Sequence, residues 1–229
     1  MTGTMRLMIV SALAASLGTG CGQTLAGSST APSAMTPSAA APSPASSADT
    51  KAATLRTTLN TLLAEHVWLA ADATGAALAG REDEFKAAAG VLDANSAAIA
   101  AALGSVYGAD AERAFLPLWR KHIGFAVDYT VGVATRDRAR QDRAVSDLVQ
   151  YSEDFGAFLA SANPALPKSA VAGLVKHHVV TLKDVIDAQA SGDQARAYAA
   201  RRTAAQHMSM IADPLASAIV AQFPDRFGG

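Results

Sequence analysis

The sequence contains an internal repeat with a period of 56 residues. Histidine occupies the same position in three copies, as His66, His122 and His178. An aspartate follows each histidine six residues later, as Asp72, Asp128 and Asp184. A fixed period of this length is typical of a duplicated supersecondary unit, so each copy is expected to form the same local structure.

Each copy is predicted to be a pair of helices. In the first copy, apolar residues recur at steps of three and four, as on one stripe of an amphipathic helix, and no alternating apolar–polar run indicates a strand. The predicted helices span residues 52–79, 82–104, 109–135, 138–161, 167–190 and 194–223. Pro117 and Pro214 fall inside this pattern, so we expect them to kink or restart their helices.

Other positions keep the same period. The predicted turns contain Gly80, Arg136 and Gly192, and the second helices carry Asn95, Tyr151 and His207 at equivalent positions. The sequence therefore predicts an all-α domain, a six-helix bundle built from three helical-hairpin repeats of 56-residue period. The hairpins either close around one axis or stack in a row, as repeat proteins do. The lack of obvious capping units favours the closed bundle.

The N-terminal residues have the plan of an export signal. Within residues 1–20, Arg6 precedes an apolar run that is too short to remain as a membrane-spanning anchor. The segment that ends at Cys21 resembles the lipobox of bacterial lipoproteins, which implies that Cys21 is lipidated and becomes the new N-terminus. It departs from the lipobox because Leu17 lies four residues before the cysteine, where the aliphatic residue is expected three before. The alternative is cleavage near Ala26 and secretion of a soluble protein.

The composition separates a tether from a folded domain. Residues 21–50 consist almost entirely of Ala, Ser, Pro, Thr and Gly, which predicts a disordered tether, and residues 51–229 are predicted to be the all-α domain. The predicted location is extracytoplasmic, with the membrane contacted through the lipid at Cys21. A net charge of −1 does not indicate a nucleic-acid partner. The sequence identifies no protein partner, and the single cysteine excludes thiolate chemistry within the domain.

The three repeated histidines are candidate metal ligands. His66 lies on the apolar stripe between Leu62 and Leu69, so its imidazole is expected to face the interior. If the first helices of the hairpins surround one axis, the three imidazoles meet at one height and are able to bind a transition metal. Six residues of helix fall 120° short of two turns, so the repeated aspartates Asp72, Asp128 and Asp184 do not chelate beside their own histidines. They are predicted to act from neighbouring helices, as outer-shell or direct ligands.

Two further residues extend the candidate site. His207 and Met210 lie three residues apart in the last predicted helix and therefore on one face of it. Imidazole and thioether together form a soft ligand set that suits copper. The sequence therefore predicts copper or zinc as the bound ion.

Two functions fit these features. The first is an exported, lipid-anchored helical-bundle protein that binds a transition metal in the cell envelope without catalysis. The second is a structural or protein-interaction module that binds no metal, in which the His–Asp pairs are buried hydrogen bonds. An enzyme is favoured less, because no P-loop, HExxH or nucleophile-elbow motif is present. If the protein is an enzyme, redox chemistry at a bound metal is the expected activity.

Overall fold

The protein is described here by a computed structural model covering residues 50–228, and every regular element in that range is a helix. The predicted all-α class is confirmed for these residues. The helices are α1 (Lys51–Leu78), α2 (Glu82–Tyr107), α3 (Ala109–Ala134), α4 (Arg138–Ala162), α5 (Lys168–Ala190), α6 (Gln194–His207), α7 (Ser209–Gln222) and α8 (Pro224–Phe227). The predicted signal peptide, Cys21 and all but the last residue of the tether lie outside the described residues.

The first five predicted helices agree with the structure except at their ends. The largest difference is in α2, which continues past Gly104 and ends at Tyr107, before Gly108, whose φ is 91°. Gly104 does not terminate the helix. A Cβ at position 104 would collide with the Glu112 side chain. The absence of a side chain at Gly104 therefore permits the close approach of α3.

The sixth predicted helix, residues 194–223, is wrong as one element. The structure divides it into α6 and α7 at Met208, whose N–H bonds to the carbonyl of Ala205 at 3.2 Å in a tightened turn. Pro214 lies inside α7, where it cannot donate a hydrogen bond to the carbonyl four residues before it, and the restart precedes it by about one and a half turns. Pro117, in contrast, lies within an uninterrupted α3.

Three inter-helix turns have the same backbone conformation. Gly80, Arg136 and Gly192 have φ values of 67°, 57° and 74°, in the left-handed region. In each turn the next N–H bonds to a carbonyl five residues earlier: Arg81 to Ala76 at 2.9 Å, Asp137 to Gly132 at 2.8 Å and Asp193 to Ala188 at 3.1 Å. This is the Schellman pattern that ends a helix. α1, α3 and α5 therefore end in the same way.

The helices pack so that the first and last helices of the described residues meet. α1, α3 and α5 contact one another in pairs. α2 packs against α1 and α3, α4 packs against α3 and α5, and α6 packs against α5 and α1. α7 also contacts α1. The contacts of α1 with α5, α6 and α7 differ from those of a row of hairpins, in which the first and last units would lie apart.

The main core is contributed by every long helix. Its fully buried side chains include Leu59, Ile99, Phe115, Tyr151, Val185, Met208 and Ile219. Close packing of these side chains fixes how α1, α3 and α5 face one another. It therefore also fixes the side chains that lie near the middle of those three helices, including the repeated histidines.

One described helix, α2, is long and apolar enough to span a membrane by length and composition alone. A core helix of a soluble protein meets the same criterion. In the structure, α2 packs along α1 and α3.

Candidate metal centre

The three repeated histidines meet inside the helical bundle. His66 comes from α1, His122 from α3 and His178 from α5, and their side chains are 1%, 3% and 5% exposed. One ring nitrogen of each lies within 4.8 Å of the corresponding nitrogens of the other two. The inward orientation predicted from the apolar stripe is thus what the structure shows. Three imidazoles supplied by three helices form a compact group of possible ligands.

The distances between these nitrogens suit a metal ion. The Nε2 atoms of His66 and His122 are 3.3 Å apart. Two ligands on a tetrahedral ion with bonds of about 2.0–2.1 Å are separated by about 3.3–3.4 Å. The nitrogen of His178 must approach the pair by at most about 1.5 Å to complete that geometry. Neither of its ring nitrogens has a hydrogen-bond partner among the described residues, so its ring can rotate without breaking a hydrogen bond.

Burial keeps the three histidines uncharged. The pKa of His66 is well below its usual value, first because burial removes water and then because His122 and His178 would repel a charge. Burial, followed by repulsion from His178, lowers the pKa of His122 to about 3. The main chain of Trp119 partly offsets this decrease, although Nδ1 of His122 makes no hydrogen bond of normal geometry.

The third histidine behaves in the same way. Burial and then the neighbouring His207 and His177 lower the pKa of His178 to about 4. All three rings are therefore neutral at neutral pH. A neutral imidazole has a free lone pair, so no proton has to be displaced from a charged ring when a metal binds.

Aromatic side chains enclose the cluster. The Trp119 ring meets His66 and His122 edge-on, with ring centroids 5.0 Å and 4.7 Å apart, and the Tyr151 ring lies 4.9 Å from His122. The hydroxyl of Tyr151 is buried without a hydrogen-bond partner among the described residues, and burial raises its pKa well above the usual value. The surroundings are therefore apolar and uncharged, which disfavours a highly charged occupant.

The repeated aspartates lie away from the three histidines. Asp72 is exposed and pairs with Arg201 at 2.8 Å, and Asp128 pairs with Arg140 at 2.6 Å. Asp184 is exposed on the outer face of α5. The rotation of 120° that separates each aspartate from its histidine directs the carboxylates outward.

The interpretation of the repeat as buried His–Asp hydrogen bonds is therefore wrong for the described residues. The Nδ1 atoms of His66, His122 and His178 have no hydrogen-bond partner there. Their aspartates find arginines or solvent instead, because a carboxylate remains ionised most easily at the surface.

His207 and Met210 are not brought into the group of three. The Nε2–H of His207 donates to the carbonyl of Leu174 at 3.0 Å, and its ring centroid lies 4.1 Å from that of His177. Met210 is 54% exposed. It follows the helix break at Met208, so the face it was predicted to share with His207 does not continue through one helix.

Trp119 and Tyr151, which contact the histidine rings, were not predicted as parts of the site. Asn95 and Tyr151 are equivalent in the repeat to His207, and Asn95 Nδ2 donates to the carbonyl of Leu62 at 3.0 Å, as His207 does to Leu174. Asn95 Oδ1, Tyr151 OH and His207 Nδ1 are all buried without a partner among the described residues. The common period of these three residues could have indicated them from the sequence. Trp119 could not have been found in this way, because leucine and valine stand at its equivalent positions.

The fold and the cluster together define an all-helical protein with a buried group of three neutral histidines. No protein-family model, no curated protein and no solved structure matches the chain.

Proposed function

We propose that the protein binds a transition-metal ion, copper or zinc, through His66, His122 and His178, without catalysing a reaction. The observation that carries the proposal is that one nitrogen from each buried ring lies within 4.8 Å of the other two. Three unprotonated imidazoles at this spacing are ligands for either ion. The structure groups these three histidines without Asp72, Asp128, Asp184, His207 or Met210, so we assign the ligand role to the three alone.

The charge of the ion favours copper(I) over zinc. The group of three contains no carboxylate or thiolate, and its surroundings are apolar. The free energy of moving an ion out of water rises with the square of its charge, so a divalent ion is disfavoured far more than a monovalent one at a site with neutral ligands. Imidazole is also a ligand that copper accepts readily.

We also propose that the three histidines meet because one helical hairpin was copied twice. The three Schellman turns stand 56 residues apart, as the histidines do. The hydrogen bonds from Asn95 to Leu62 and from His207 to Leu174 are related by two such periods. Equivalent turns and equivalent contacts support a common origin of the hairpins.

The proposed location is the outer side of a membrane, with lipid on Cys21. This rests on the signal-like sequence of residues 1–20 and on the resemblance to the lipobox. Expression of the full chain and of a Cys21→Ser variant in a bacterium, followed by membrane fractionation and intact-mass analysis, tests it. We expect the added mass of a lipid on the unsubstituted full chain and not on the Cys21→Ser variant. An unmodified full chain in the soluble fraction would overturn it.

An anaerobic copper(I) titration against a coloured chelator tests the metal proposal. We expect one high-affinity ion per chain, and a decrease in affinity of about tenfold or more for each of His66→Ala, His122→Ala and His178→Ala. His177→Ala is the matched control, because His177 is exposed beside His178 and does not belong to the group of three. Circular dichroism establishes that each variant is folded. Absence of binding at micromolar protein, or binding that only His177→Ala abolishes, would contradict the proposal.

A module that binds no metal is the second candidate. The 3.3 Å contact between the Nε2 atoms of His66 and His122 favours it, since one neutral ring can donate a hydrogen bond directly to the other. In that case the substitutions at His66 and His122 would lower the melting temperature while the chain takes up neither copper nor zinc. The same titration, repeated with zinc and combined with thermal unfolding of the variants, therefore separates the two functions.

A further inference from the structure

Two apolar cavities border the three-histidine cluster. The larger, with a volume of about 280 Å³, lies among residues of α1, α2, α3 and α5 and is lined in part by His66 and His122. The smaller, about 180 Å³, lies among residues of α3, α4 and α5 and is lined in part by His122 and His178. An occupant of either cavity would therefore lie against imidazole rings.

The larger cavity offers almost no hydrogen bonds to an occupant. Its two hydroxyl groups are already engaged: Thr130 Oγ1 donates to the carbonyl of Ala126 at 2.8 Å, and Thr74 Oγ1 donates to Gln189 Oε1 at 2.9 Å. The remaining lining is aliphatic or aromatic apart from the two histidines. An ion or a strongly polar molecule would lose its hydration there without compensation.

The larger cavity also reaches the surface. Val127, which is 40% exposed, and the exposed Ala77 line it together with the buried histidines. The smaller cavity differs, because Lys176 and Lys183 line it. The larger cavity is therefore the wider and less charged of the two apolar paths from solvent to the cluster.

We infer that this cavity admits a small, uncharged diatomic molecule of low polarity, of the class of dioxygen, carbon monoxide and nitric oxide, to copper(I) at the cluster. The inference rests on the proposed metal binding. Three imidazoles occupy three positions on the ion, and no further His, Cys, Asp or Glu of the described residues belongs to the group. An ion with three protein ligands keeps a position open for an exogenous ligand. The step is reversible coordination, with no bond of the diatomic broken.

Carbon monoxide is the probe. The full chain is loaded with copper(I) under anaerobic conditions and exposed to the gas, and infrared spectroscopy is used to detect the stretching band of copper-bound carbon monoxide. Val127→Trp is expected to obstruct this cavity where it reaches the surface and to slow the appearance of the band by about tenfold, because the rest of the protein is closely packed and the other cavity at the cluster is smaller and lined by Lys176 and Lys183. Ala126→Leu, which fills part of both cavities from within, is expected to act in the same direction.

Two substitutions serve as matched controls. Val91→Trp places the same side chain at an exposed position of α2 that lines neither cavity, and Val180→Trp places it at the smaller cavity. Neither is expected to slow the band. The xenon-129 resonance shift caused by the metal-free chain gives a readout that is independent of copper. We expect Val127→Trp and Ala126→Leu each to reduce this shift.

The outcomes separate the two proposals. A chain that takes up no copper(I) overturns both the metal function and this inference. A chain that takes up copper(I) but shows no carbon monoxide band overturns this inference alone. So does a band that forms equally fast in Val127→Trp, Ala126→Leu and Val91→Trp.

Discussion

At the scale of single residues, burial determines the behaviour of the site. His66, His122 and His178 are each at most 5% exposed and have no carboxylate partner within residues 50–228. Each ring is therefore held neutral by the cost of removing its charged form from water. An ion bound there at neutral pH therefore displaces no proton from a charged imidazole ring.

The depressed pKa values predict that the metal-free fold loses stability in mild acid. The unfolded chain takes up protons on these histidines near pH 6.5, whereas the folded chain takes them up only near pH 4 at His178 and near pH 3 at His122. The unfolded state thus binds more protons, and the free energy of unfolding falls by about 1.4 kcal/mol per pH unit per histidine as the pH decreases below 6.5. Urea unfolding between pH 7 and about pH 5 measures this slope, in a window where carboxylates titrate little.

Two variants locate the source of that slope. His178→Leu is expected to reduce it by about one histidine's share, about 1.4 kcal/mol per pH unit. His177→Ala, which removes an exposed histidine, is expected to leave the slope unchanged. Equal slopes in the wild type and in His178→Leu would show that burial of His178 is not its origin.

Only those features of the site that follow from the repeat and from helix geometry were predictable. The period and the apolar stripe together placed His66, His122 and His178 inside, because helix geometry alone fixes which face a residue occupies. The aspartates were misjudged, because the sequence does not tell which arginine a carboxylate will meet. Asp72 meets Arg201, which is 129 residues away in the chain, and that pairing depends on how α1 and α6 pack.

At the scale of helices and turns, the three equivalent turns differ in one side chain. Arg136 adopts a left-handed conformation that glycine adopts in the other two turns, with φ of 57° against 67° and 74°. A residue with a Cβ is strained by roughly 1–2 kcal/mol in this region. Arg136→Gly is therefore expected to raise the free energy of unfolding by about 0.5–1 kcal/mol, after allowance for the greater freedom of glycine in the unfolded chain.

The converse substitution is the control for that turn. Gly192→Ala introduces the same strain and is expected to lower the free energy of unfolding by about 1 kcal/mol. Both are measured by thermal or urea unfolding. A loss of stability in Arg136→Gly would show that the arginine side chain contributes more than its backbone strain costs.

Contact between α4 and α5 depends on a glycine without a positive φ. A Cβ on Gly156 would lie 2.6 Å from the carbonyl oxygen of Lys168 and 3.2 Å from Ala172, so the two helices would have to separate. Gly156→Ala is expected to destabilise the fold by about 1–3 kcal/mol. Gly173→Ala, in the exposed face of α5 with no atom within 4 Å, is expected to stabilise it by about 0.5–1 kcal/mol. Urea unfolding of both proteins checks the opposite signs.

The helices themselves were largely predictable, and the failures have local causes. Glycine marked the end of α1 at Gly80, but the predicted second helix stopped three residues short, at Gly104, because that glycine serves a close helix contact instead. The break at Met208 carries no glycine or proline of its own. It lies ahead of Pro214, and the sequence does not show how far from a proline a helix will restart.

At the scale of the whole molecule, sequence reasoning left open whether the hairpins close or stack. Short connections make neighbours antiparallel in both arrangements, so they cannot distinguish them. The contacts of α1 with α5, α6 and α7 arise from long-range packing of buried side chains such as Leu59 and Ile219, which share one core. Burial of this kind depends on the assembled fold rather than on local spacing.

Joining three helices through one ion should stabilise the whole domain. Under the proposed function, copper(I) binds the folded chain and not a chain whose histidines are dispersed, so free ion at about 100 times its dissociation constant adds about 2.7 kcal/mol to the free energy of unfolding. Anaerobic thermal unfolding with and without copper(I) measures the shift. His122→Ala should abolish it, and His177→Ala should retain it. A melting temperature that copper(I) leaves unchanged in the wild type would argue against a site formed by α1, α3 and α5 together.

The even spacing of the three histidines also sets the order in which they are synthesised and the cluster assembles. Each imidazole is synthesised one hairpin after the last, so a growing chain that stops before residue 178 carries two of them at most. The first helical hairpin can form early because its contacts are local in the sequence. The three imidazole rings come together only after α5 packs against α1 and α3. Under the proposed function, an occupied cluster would thus report a chain that extends through α5, and a chain terminated before residue 178 would lack the third ligand.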